Sequence, residues 1–554
     1  MLREGFEPGR RRGGKRNQTP DCGKSRWGRG SSRRGAGSEA TTRSGWEIRP
    51  LLGGSLSAGP ALSRKMAAPS EESYRADFSS RPVEEALAAL EADDEPGRRL
   101  ERLREIMLLL REQQHRETTS ERIFQGIQQI LMESSREVEL ACQDASHRGH
   151  LEPQLQLIAE CFRCLRNACV QCPRNQGMIK HLNLIGTTVE LIDLLQKLDA
   201  KQDSHLTAFR CGLQFLGNIA AGNEASQQVV WRDAFPDLFL YCLRHPDEKV
   251  VAYASMILFT CLSAERLKDL HTQNLSVALR VVEAHQKQPE CEWAFLIISD
   301  YLLKSPELVK SMYAKLSNPE RVTLLDLMVA KLVGDEPLTR EDLAAFLRHA
   351  EWVASGFQDK CKSVLKLASI GHDDDEEALA TIRLLHVLCE MTANCELLGS
   401  LQAFPGLLET VVEILQLAHL AGKQSPNVFT AASCMRGDGD VSNPAVGFKS
   451  QLVRLIGNLC YKNGKNQDKV YELDGIPLIL DNCSMDDNNP FLSQWAVYAI
   501  RNLTEHNKRN QGLIAKMEDH GLADTAVLKK MGLEVEKRDG RLTLRSTRKG
   551  PSCE

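Results

Sequence analysis

The sequence has few aromatic residues and no long apolar run. Phe, Trp and Tyr make up 5% of its 554 residues, whereas β-sheets draw heavily on aromatic and β-branched side chains. No stretch of 18 uncharged apolar residues occurs, so the sequence predicts no membrane-spanning helix. Leu, Ala, Glu and Gln are abundant instead, and these residues favour helices. The composition therefore predicts an all-α protein without a membrane span.

Catalytic and metal-binding signatures are also missing. There is no G-x-x-x-x-G-K-[ST] phosphate-binding loop, no G-x-S-x-G nucleophile elbow and no H-E-x-x-H zinc motif. Cys161, Cys164, Cys169 and Cys172 show a C-x2-C-x4-C-x2-C spacing. They fall in or beside one apolar helix, which would have to break to bring four sulfurs around a metal. We therefore predict no enzyme activity, no metal and no cofactor.

Charge is unevenly distributed along the chain. Residues 1–65 hold 12 Arg and 3 Lys against 5 acidic residues, a net charge of +10, whereas residues 66–554 carry a net charge of −14. An acidic body does not attract phosphate backbones, so we predict no nucleic-acid partner for it. The 17 cysteines lie mostly in apolar helical runs, and no apolar secretion signal begins the chain. We expect reduced, buried thiols in a cytoplasmic protein. A perinuclear location within the cytoplasm is expected as well.

The Arg/Gly-rich residues 1–65 cannot bury a core, and we predict that they are disordered. Three origins remain open: a nucleic-acid-binding tail, a transit peptide without an amphipathic face, or leader sequence translated upstream of the usual start. The composition changes abruptly at Met66-Ala67-Ala68-Pro69, which is typical of a eukaryotic protein start and favours the third origin. Residues 66–97 are expected to be mostly flexible.

From residue 98 the chain is helical in pattern and repeats itself. Four apolar segments end in an asparagine, and in each a glutamine follows that asparagine by nine residues. The pairs are Asn167 with Gln176, Asn218 with Gln227, Asn458 with Gln467 and Asn502 with Gln511. Asn458 and Asn502 are 44 residues apart, and periods near 40–47 are typical of armadillo and HEAT repeats.

The repeats predict an armadillo/HEAT-like right-handed superhelical solenoid, in which each unit buries its apolar faces against its neighbours. Residues 98–421 hold the first repeats and residues 447–530 the last. Residues 422–446, rich in Gly, Ser, Asn and Pro, are predicted to be a flexible loop. Residues 531–554 alternate around Asp539-Gly540, which favours a small β-hairpin and a tail.

The repeat segments resemble the ataxin-10 family of armadillo-type proteins. The passages that carry the resemblance are ECFRCLRNACVQCPRN from Glu160, LTAFRCGLQFLGNI from Leu206, ERVTLLDLMVA from Glu320, LVRLIGNLCYKNGKNQDKVYELDGIPLILDNCS from Leu452 and FLSQWAVYAIRNLTE from Phe491. The resemblance covers residues 98–550 and leaves residues 1–65 outside the family's pattern. It implies a non-enzymatic, cytosolic interaction scaffold whose C-terminal repeats, within residues 447–530, belong to the family's own type.

Further roles are implied by the resemblance alone. They are neuronal survival, neurite outgrowth, Ras–MAP kinase signalling and cytokinesis. The implied partners are O-GlcNAc transferase, a heterotrimeric G-protein β subunit and a ciliary IQ-motif protein, together with self-association. The implied locations include the midbody and the centrosome or cilium base.

The candidate binding surface consists of the four asparagines and the residues four positions earlier, which share their helix face. In armadillo units this face lines a groove, where the asparagine amide clamps the backbone of an extended peptide. Alternatively, each asparagine bonds the backbone of the neighbouring repeat and stabilises the stack. The candidate residues are Arg163, Asn167, Gln214, Asn218, Arg454, Asn458, Tyr498 and Asn502.

Two other functions remain as alternatives to a scaffold. Importin-type transport adaptors carry Trp at the positions of Arg163, Gln214, Arg454 and Tyr498, to stack on basic ligands, and this sequence departs from that pattern at all four. Arg163 and Arg454 suit acidic or phosphorylated ligands better. A G-protein exchange factor or chaperone is the second alternative, since some helical-repeat proteins have that role.

Overall fold

The computed structural model describes residues 83–93, 95–144, 146–147, 151–198, 203–368, 375–424, 427–430, 445–483, 486, 488–517, 533–538 and 541–546. The chain divides into two units, residues 1–70 and residues 71–554. The first unit, and with it the predicted disorder of residues 1–65, lies outside the described residues. The described residues all belong to the second unit.

The second unit is built almost entirely of helices. Its N-terminal helices are α1 (Val83–Glu91), α2 (Pro96–Leu109), α3 (Gln113–Thr118), α4 (Glu121–Gln143), α5 (Glu152–Ala168), α6 (Pro173–His181), α7 (Leu184–Lys197), α8 (Asp203–Ala220), α9 (Glu224–Ala234), α10 (Asp237–Cys242), α11 (Glu248–Cys261), α12 (Ala264–Thr272) and α13 (Leu275–Lys287). Next come α14 (Glu292–Ile297), a π-helical turn (Ile298–Leu302), α15 (Pro306–Lys315), α16 (Asn318–Val333), α17 (Arg340–Lys360) and a 3₁₀ segment (Cys361–Ala368). The C-terminal helices are α18 (Glu376–Ala393), α19 (Cys395–Gln402), α20 (Leu407–Gln424), α21 (Phe448–Cys460), α22 (Gly464–Glu472), α23 (Gly475–Asp481), α24 (Leu492–Thr504) and α25 (Lys508–Lys516).

One helix of each repeat stacks on its counterpart in the next repeat. Helix α2 packs on α5, α5 on α8, α8 on α11 and α11 on α14; further along, α16 packs on α18, α18 on α21 and α21 on α24. We call α2, α5, α8, α11, α14, α16, α18, α21 and α24 the third-helix row. The remaining helices cover the other side of this row, as α4 covers α5 and α20 covers α21.

The apolar core is continuous along the stack. One cluster of contacting buried side chains runs from Val83 in α1 to Leu503 in α24. Within it, the rings of Phe162 in α5 and Phe215 in α8 stack with centroids 6.4 Å apart. No helix buries its apolar face alone, and each depends on the next repeat for cover. The prediction of an all-α armadillo/HEAT-like solenoid is confirmed.

The C-terminal hairpin is also present. Strands β1 (Leu533–Arg538) and β2 (Arg541–Ser546) pair antiparallel, with Leu533 opposite Ser546 and Arg538 opposite Arg541. The register brackets the predicted turn residues 539–540, which lie outside the described part. The alternating pattern alone was enough to place both strands.

The helical stack begins earlier than residue 98. The structure describes part of the segment 66–97, which the sequence predicts to be mostly flexible, and that part contains α1. Val83, Ala86, Leu87 and Leu90 are all buried in it. This helix packs on α2 and α4, so its apolar face closes the first repeat. Helix α1 has only nine residues, which are too few to establish a helical period in the sequence.

Part of the predicted flexible loop 422–446 is packed as well. Helix α20 continues to Gln424, and Phe429 is fully buried with its ring 5.9 Å from that of Phe448. The Nδ2 atom of Asn489 donates to the carbonyl of Phe429 at 2.8 Å. Lys449 lies beneath this turn, and its Nζ is 3.1 Å from the carboxylate of Asp486, with both side chains nearly inaccessible. Residues 427–430 therefore fasten α20 to the loop that precedes α24.

Hydropathy along the described helices was compared with that of membrane spans. No single described helix is long and apolar enough to cross a membrane. Two sharply bent pairs, Glu248–Cys261 with Ala264–Thr272 and Cys395–Gln402 with Leu407–Lys423, meet the requirement in length and composition only.

A glycine sets the closest approach in the third-helix row. A Cβ at Gly457 in α21 would lie 2.9 Å from the ring of Tyr498 and 3.1 Å from the backbone of Ala499 in α24. We expect Gly457→Ala to lower the free energy of unfolding by about 1–3 kcal/mol, because the two helices must separate. Urea unfolding followed by far-UV circular dichroism measures the change.

Gly512→Ala is the matched control, because a Cβ at Gly512 in α25 meets no atom within 4 Å. This change is expected to be neutral or to stabilise by up to about 1 kcal/mol through helix propensity. Equal destabilisation by the two substitutions would contradict close packing of α21 on α24.

Candidate functional site

The four predicted asparagines occupy equivalent positions near the C-terminal ends of α5, α8, α21 and α24. In each, the side-chain amide donates a hydrogen bond to the preceding helix of the third-helix row. The bonds run from Nδ2 of Asn167 to the Met107 carbonyl (3.0 Å), of Asn218 to the Arg166 carbonyl (3.2 Å), of Asn458 to the Cys389 carbonyl (3.4 Å) and Thr392 Oγ1 (2.9 Å), and of Asn502 to the Gly457 carbonyl (2.9 Å).

The acceptor carbonyls follow a rule. Gly457 directly precedes Asn458, and Arg166 directly precedes Asn167, so Asn502 and Asn218 each reach the carbonyl one residue before the previous asparagine. Asn458 and Asn502 are only 5% and 2% exposed. The donors are thus satisfied inside the stack, as the second interpretation of the asparagines requires. A ligand that uses these amides would have to displace a bond between repeats.

The nine-residue spacing from asparagine to glutamine has a physical cause. The last carbonyls of an α-helix have no partner within the helix. The Nε2 atom of Gln227 donates to the Ala220 carbonyl at 3.0 Å, and that of Gln511 donates to the Thr504 carbonyl at 2.8 Å. Each acceptor ends the helix that carries the asparagine. The glutamine, in the next helix of the chain, therefore caps the C-terminus of its own third helix.

Some of these glutamines also reach the following repeat. The Nε2 atom of Gln176 donates at 3.1 Å to the carbonyls of Asn218 and Ala221 at the end of α8. Gln467 likewise donates to the Asn502 carbonyl at 2.8 Å. One side chain then bonds two adjacent repeats. Gln402, which the sequence analysis did not single out, makes the same contacts with Leu459 and Tyr461.

A second set of amides was missed by sequence reasoning. The residue before the glutamine is Asn175, Asn466 or Asn510 in three repeats, and its Nδ2 atom donates to a carbonyl near the end of the third helix. Three residues earlier, Asn463 and Asn507 cap the N-termini of α22 and α25. The sequence signal for these amides is N-x2-N-Q, which occurs once in each of the last two repeats.

The residues four positions before the asparagines make different contacts in each repeat. Arg163 bonds Oε1 of Glu160 at 2.5 Å, and Gln214 accepts from Arg166 at 2.6 Å. The hydroxyl of Tyr498 donates to Oδ1 of Asn458 at 3.0 Å. These side chains remain partly exposed, as does Asn218, beside the buried Asn167, Asn458 and Asn502. They are the part of the candidate surface that a ligand can reach.

Arg454 is already paired within the structure. Its guanidinium forms a bidentate pair with Glu390 of α18, at 2.6 and 3.0 Å, and lies over the ring of Trp495 at 5.0 Å. Burial opposes the charge on Arg454, but the hydrogen bonds to Glu390 outweigh it and raise the pKa of the guanidinium. The expectation that Arg454 suits an acidic ligand must therefore allow for competition with Glu390, a partner that lies 64 residues away in sequence.

The cysteine quartet lies in the core. Cys161, Cys164, Cys169 and Cys172 are buried, and the thiol of Cys164 donates to the Leu103 carbonyl at 3.2 Å. Burial raises the pKa of the Cys161, Cys164 and Cys169 thiols above the ordinary value. In the part of the chain that the structure describes, no three His, Cys, Asp or Glu side chains are placed to hold a metal ion. The thiols act there as small apolar groups.

Removal of one asparagine tests whether these amides hold the stack together. We expect Asn502→Ala to lower the free energy of unfolding by about 1–3 kcal/mol, because the Gly457 carbonyl loses its partner in a buried site. Chemical denaturation measures it. Gln494→Ala, an exposed change on the same helix, is the control and is expected to be neutral. An unchanged free energy of unfolding in Asn502→Ala would contradict a structural role for the four asparagine bonds, which we call the asparagine ladder.

The chain was compared with known proteins. Residues 448–545 match the sequence model of the family described as the spinocerebellar ataxia type 10 protein domain, Atx10homo_assoc. Ataxin-10 of Bos taurus is 65% identical over 456 residues, which cover 82% of this chain and 96% of that protein. Ataxin-10 of Homo sapiens is 62% identical over the same shares, and that of Xenopus tropicalis is 54% identical over 80% of this chain and 91% of that protein.

Solved structures match more distantly. The crystal structure of SYS-1 aligns with a TM-score of 0.36 and 13% identity over 76% of this chain and 75% of that one. That of Uso1-2 aligns with a TM-score of 0.39 and 10% identity over 80% and 76%. At these values the fold assignment rests on the helix stacking of this chain itself.

Proposed function

The chain belongs to the ataxin-10 family, and from that premise we propose that it is a non-enzymatic scaffold that holds segments of other proteins along its third-helix row. The row supports this proposal because it places partly exposed polar side chains, such as Arg163, Gln214 and Tyr498, at equivalent positions of several repeats. An extended peptide makes its contacts at regular intervals, and stacked repeats provide such intervals.

One observation carries the proposal furthest. Beside the buried asparagines, the row leaves long side chains within reach of solvent: Arg104 keeps 53% of its side chain exposed, and Leu108 of the same helix is 43% exposed. Both lie on the face of α2 that also bears the Met107 carbonyl bonded by Asn167. Charged and apolar groups are thus available next to a rigid backbone, as an interaction surface requires.

The finer roles follow from the family and remain part of this proposal. They comprise neuronal survival, neurite outgrowth, Ras–MAP kinase signalling and cytokinesis. The proposed locations are the cytoplasm, its perinuclear region, the midbody and the centrosome or cilium base. The proposed partners are O-GlcNAc transferase, a G-protein β subunit and a ciliary IQ-motif protein. The third-helix row is where we expect such partners to bind.

Arg454→Ala tests the scaffold proposal at the C-terminal end of the row. We expect it to remove a subset of the proteins that cross-link to the chain in cells, because it takes away the guanidinium that Glu390 and Trp495 position. Cross-linking followed by mass spectrometry, with quantification against wild type, is the measurement.

Arg266→Ala is the matched control, because Arg266 also lies over a tryptophan, Trp231 at 5.5 Å, but belongs to α12 outside the row. It is expected to keep the partners while losing similar stability. If both variants lose the same partners in proportion to their melting temperatures, or if neither loses any, the row is not the binding surface.

Self-association is a second function that a specific observation favours. Five residues before Asn167, Asn218 and Asn458 stand Phe162, Leu213 and Val453, each fully buried, and Phe162 stacks on Phe215 of the next repeat. The equivalent residue in α24 is Val497, and it is 68% exposed. The last described repeat thus ends in an open apolar position, within the region that matches the Atx10homo_assoc model. We propose that a second copy covers it.

Val497→Asp tests this arrangement. A buried carboxylate without a partner is costly, so we expect the variant to be monomeric under conditions in which wild type self-associates, with unchanged helicity. Sedimentation velocity over a range of concentrations reports the oligomeric state. Val333→Asp, at a valine that is 59% exposed at the end of α16, is the control and should leave association intact. If Val497→Asp self-associates as strongly as wild type, this interface is refuted.

A further inference from the structure

Three arginines gather at the N-terminal end of the third-helix row. Arg104 lies on α2, and Arg163 and Arg166 lie on α5, the helix that packs on α2. The side chains of Arg104 and Arg163 are 53% and 33% exposed. We call these three residues the arginine patch. It spans the junction of two repeats, where a ligand contacts both.

Two of these guanidinium groups converge on one point. Nη1 of Arg163 lies 2.5 Å from Oε1 of Glu160, and Nε of Arg104 lies 3.5 Å from the same oxygen. Glu160 itself is 3% exposed, and its other oxygen is buried without a hydrogen-bond partner among the described residues. The carboxylate therefore holds the two arginines side by side from below, and their outer edges face solvent.

Arg166 is held in place by neutral groups. It donates to Oε1 of Gln214 at 2.6 Å and to Oδ1 of Asn167 at 3.1 and 3.2 Å. Burial, and after it the positive charges of Arg163 and Arg111, lower the pKa of its guanidinium. Among the described residues, Glu160 is thus the one carboxylate paired with a member of this set of three arginines, and it contacts two of them. The patch carries two positive charges that its own ion pairs do not balance.

The other end of the row is different. Arg383 pairs with Asp326 at 2.9 Å, and Arg454 pairs with both oxygens of Glu390. Arg383 and Arg454 thus each have a carboxylate of their own. At the junction of α2 and α5, by contrast, Arg104 and Arg163 share the carboxylate of Glu160, which leaves positive charge there to attract an anion.

We propose that the arginine patch binds a phosphorylated serine or threonine in an extended segment of a partner protein. This inference rests on the proposed scaffold function and names the chemistry of one of its ligands. Phosphate carries a charge of about −1.5 to −2 near neutral pH and three acceptor oxygens, which matches the two unbalanced charges of the patch. A carboxylate ligand would bring only one negative charge, and the patch already contains one carboxylate, that of Glu160. Arginine also binds phosphate through paired N–H groups.

Leu108 gives the segment a direction. It lies four residues after Arg104 on α2 and is 43% exposed, so it shares a helix face with Arg104. A segment whose phosphate sits between Arg104 and Arg163 can place an apolar residue on Leu108. The ligand class is thus a phosphorylated residue with an apolar residue close to it.

A peptide array tests the proposal with the full-length chain. Each peptide of a degenerate set is synthesised with serine, phosphoserine or glutamate at its centre, and the best phosphoserine peptides are then labelled and titrated by fluorescence anisotropy. We expect phosphoserine peptides to bind at least about tenfold more tightly than the serine versions, and glutamate to recover little of this gain, as the charge-assisted bonds predict.

Arg104→Gln and the double variant Arg104→Gln, Arg163→Gln identify the surface. Arg104 is half exposed, so its substitution leaves folding intact even if that of Arg163 does not. We expect the single variant to weaken phosphopeptide binding several-fold and the double variant to abolish the preference for phosphate. Arg122→Gln is the matched control, since Arg122 is 70% exposed on α4 and pairs with Glu91; its binding should equal that of wild type.

The outcomes separate this inference from the scaffold proposal. Equal binding of serine and phosphoserine peptides, full recovery by glutamate, or unchanged binding by Arg104→Gln would overturn the phosphate site. Preferential capture of an oligonucleotide by the same arginines would overturn the assignment to a protein ligand. If the array fails while Arg454-dependent partners persist in cells, the scaffold stands and only the arginine patch is misassigned. If both fail, the third-helix row has no ligand.

Discussion

A hydrogen bond from an asparagine amide to the preceding helix holds four junctions of the third-helix row, those of α2 with α5, α5 with α8, α18 with α21 and α21 with α24. The bond constrains both the distance and the register of the two helices, and for Asn218 and Asn502 the acceptor is the carbonyl one residue before the preceding asparagine. Apolar burial alone supplies attraction but little register. The amides add direction, and the glutamines of the following helix satisfy the carbonyls that helix ends leave over.

The same ladder determines which side chains are available for function. The amide donors of Asn458 and Asn502 bond neighbouring helices, so the residues around them are the ones available to bind a ligand. These differ from repeat to repeat: an exposed arginine patch at α2 and α5, paired charges at α18 and α21, and an apolar end at α24. A regular backbone thus carries a surface whose chemistry changes along its length. Different partners, including a second copy, can then be assigned to different repeats.

Much of this fold could be predicted from the sequence. Four Asn-to-Gln spacings in helical context were enough for the repeat architecture, and the alternation around residues 539–540 was enough for the hairpin. Those signals are local, and each recurs or spans a whole element. Helix α1 and the packed turn 427–430 gave no such signal: α1 is short, and the turn is held by residues distant in sequence, Phe448 against the ring of Phe429 and Asn489, sixty residues away, on its carbonyl.

The candidate site was predicted less completely, for a related reason. Sequence spacing placed Arg163, Gln214, Arg454 and Tyr498 beside the asparagines, but it could not show which of them has a partner. Glu390, which pairs with Arg454, comes from another repeat. The convergence of Arg104 and Arg163 on Glu160 likewise joins α2 to α5 across a long stretch of chain. Local periodicity identifies a face, and only the packed stack determines its charge.

Hydrogen exchange in Asn458→Ala, read by mass spectrometry against wild type, tests the central claim most directly. The amide of Asn458 bonds α21 to Cys389 and Thr392 in α18. The account predicts faster exchange in both α18 and α21, with α5 and α8 unchanged, because the lost bond joins two particular repeats. Faster exchange confined to α21, or spread evenly over all the described helices, would contradict an asparagine bond that links α21 to α18.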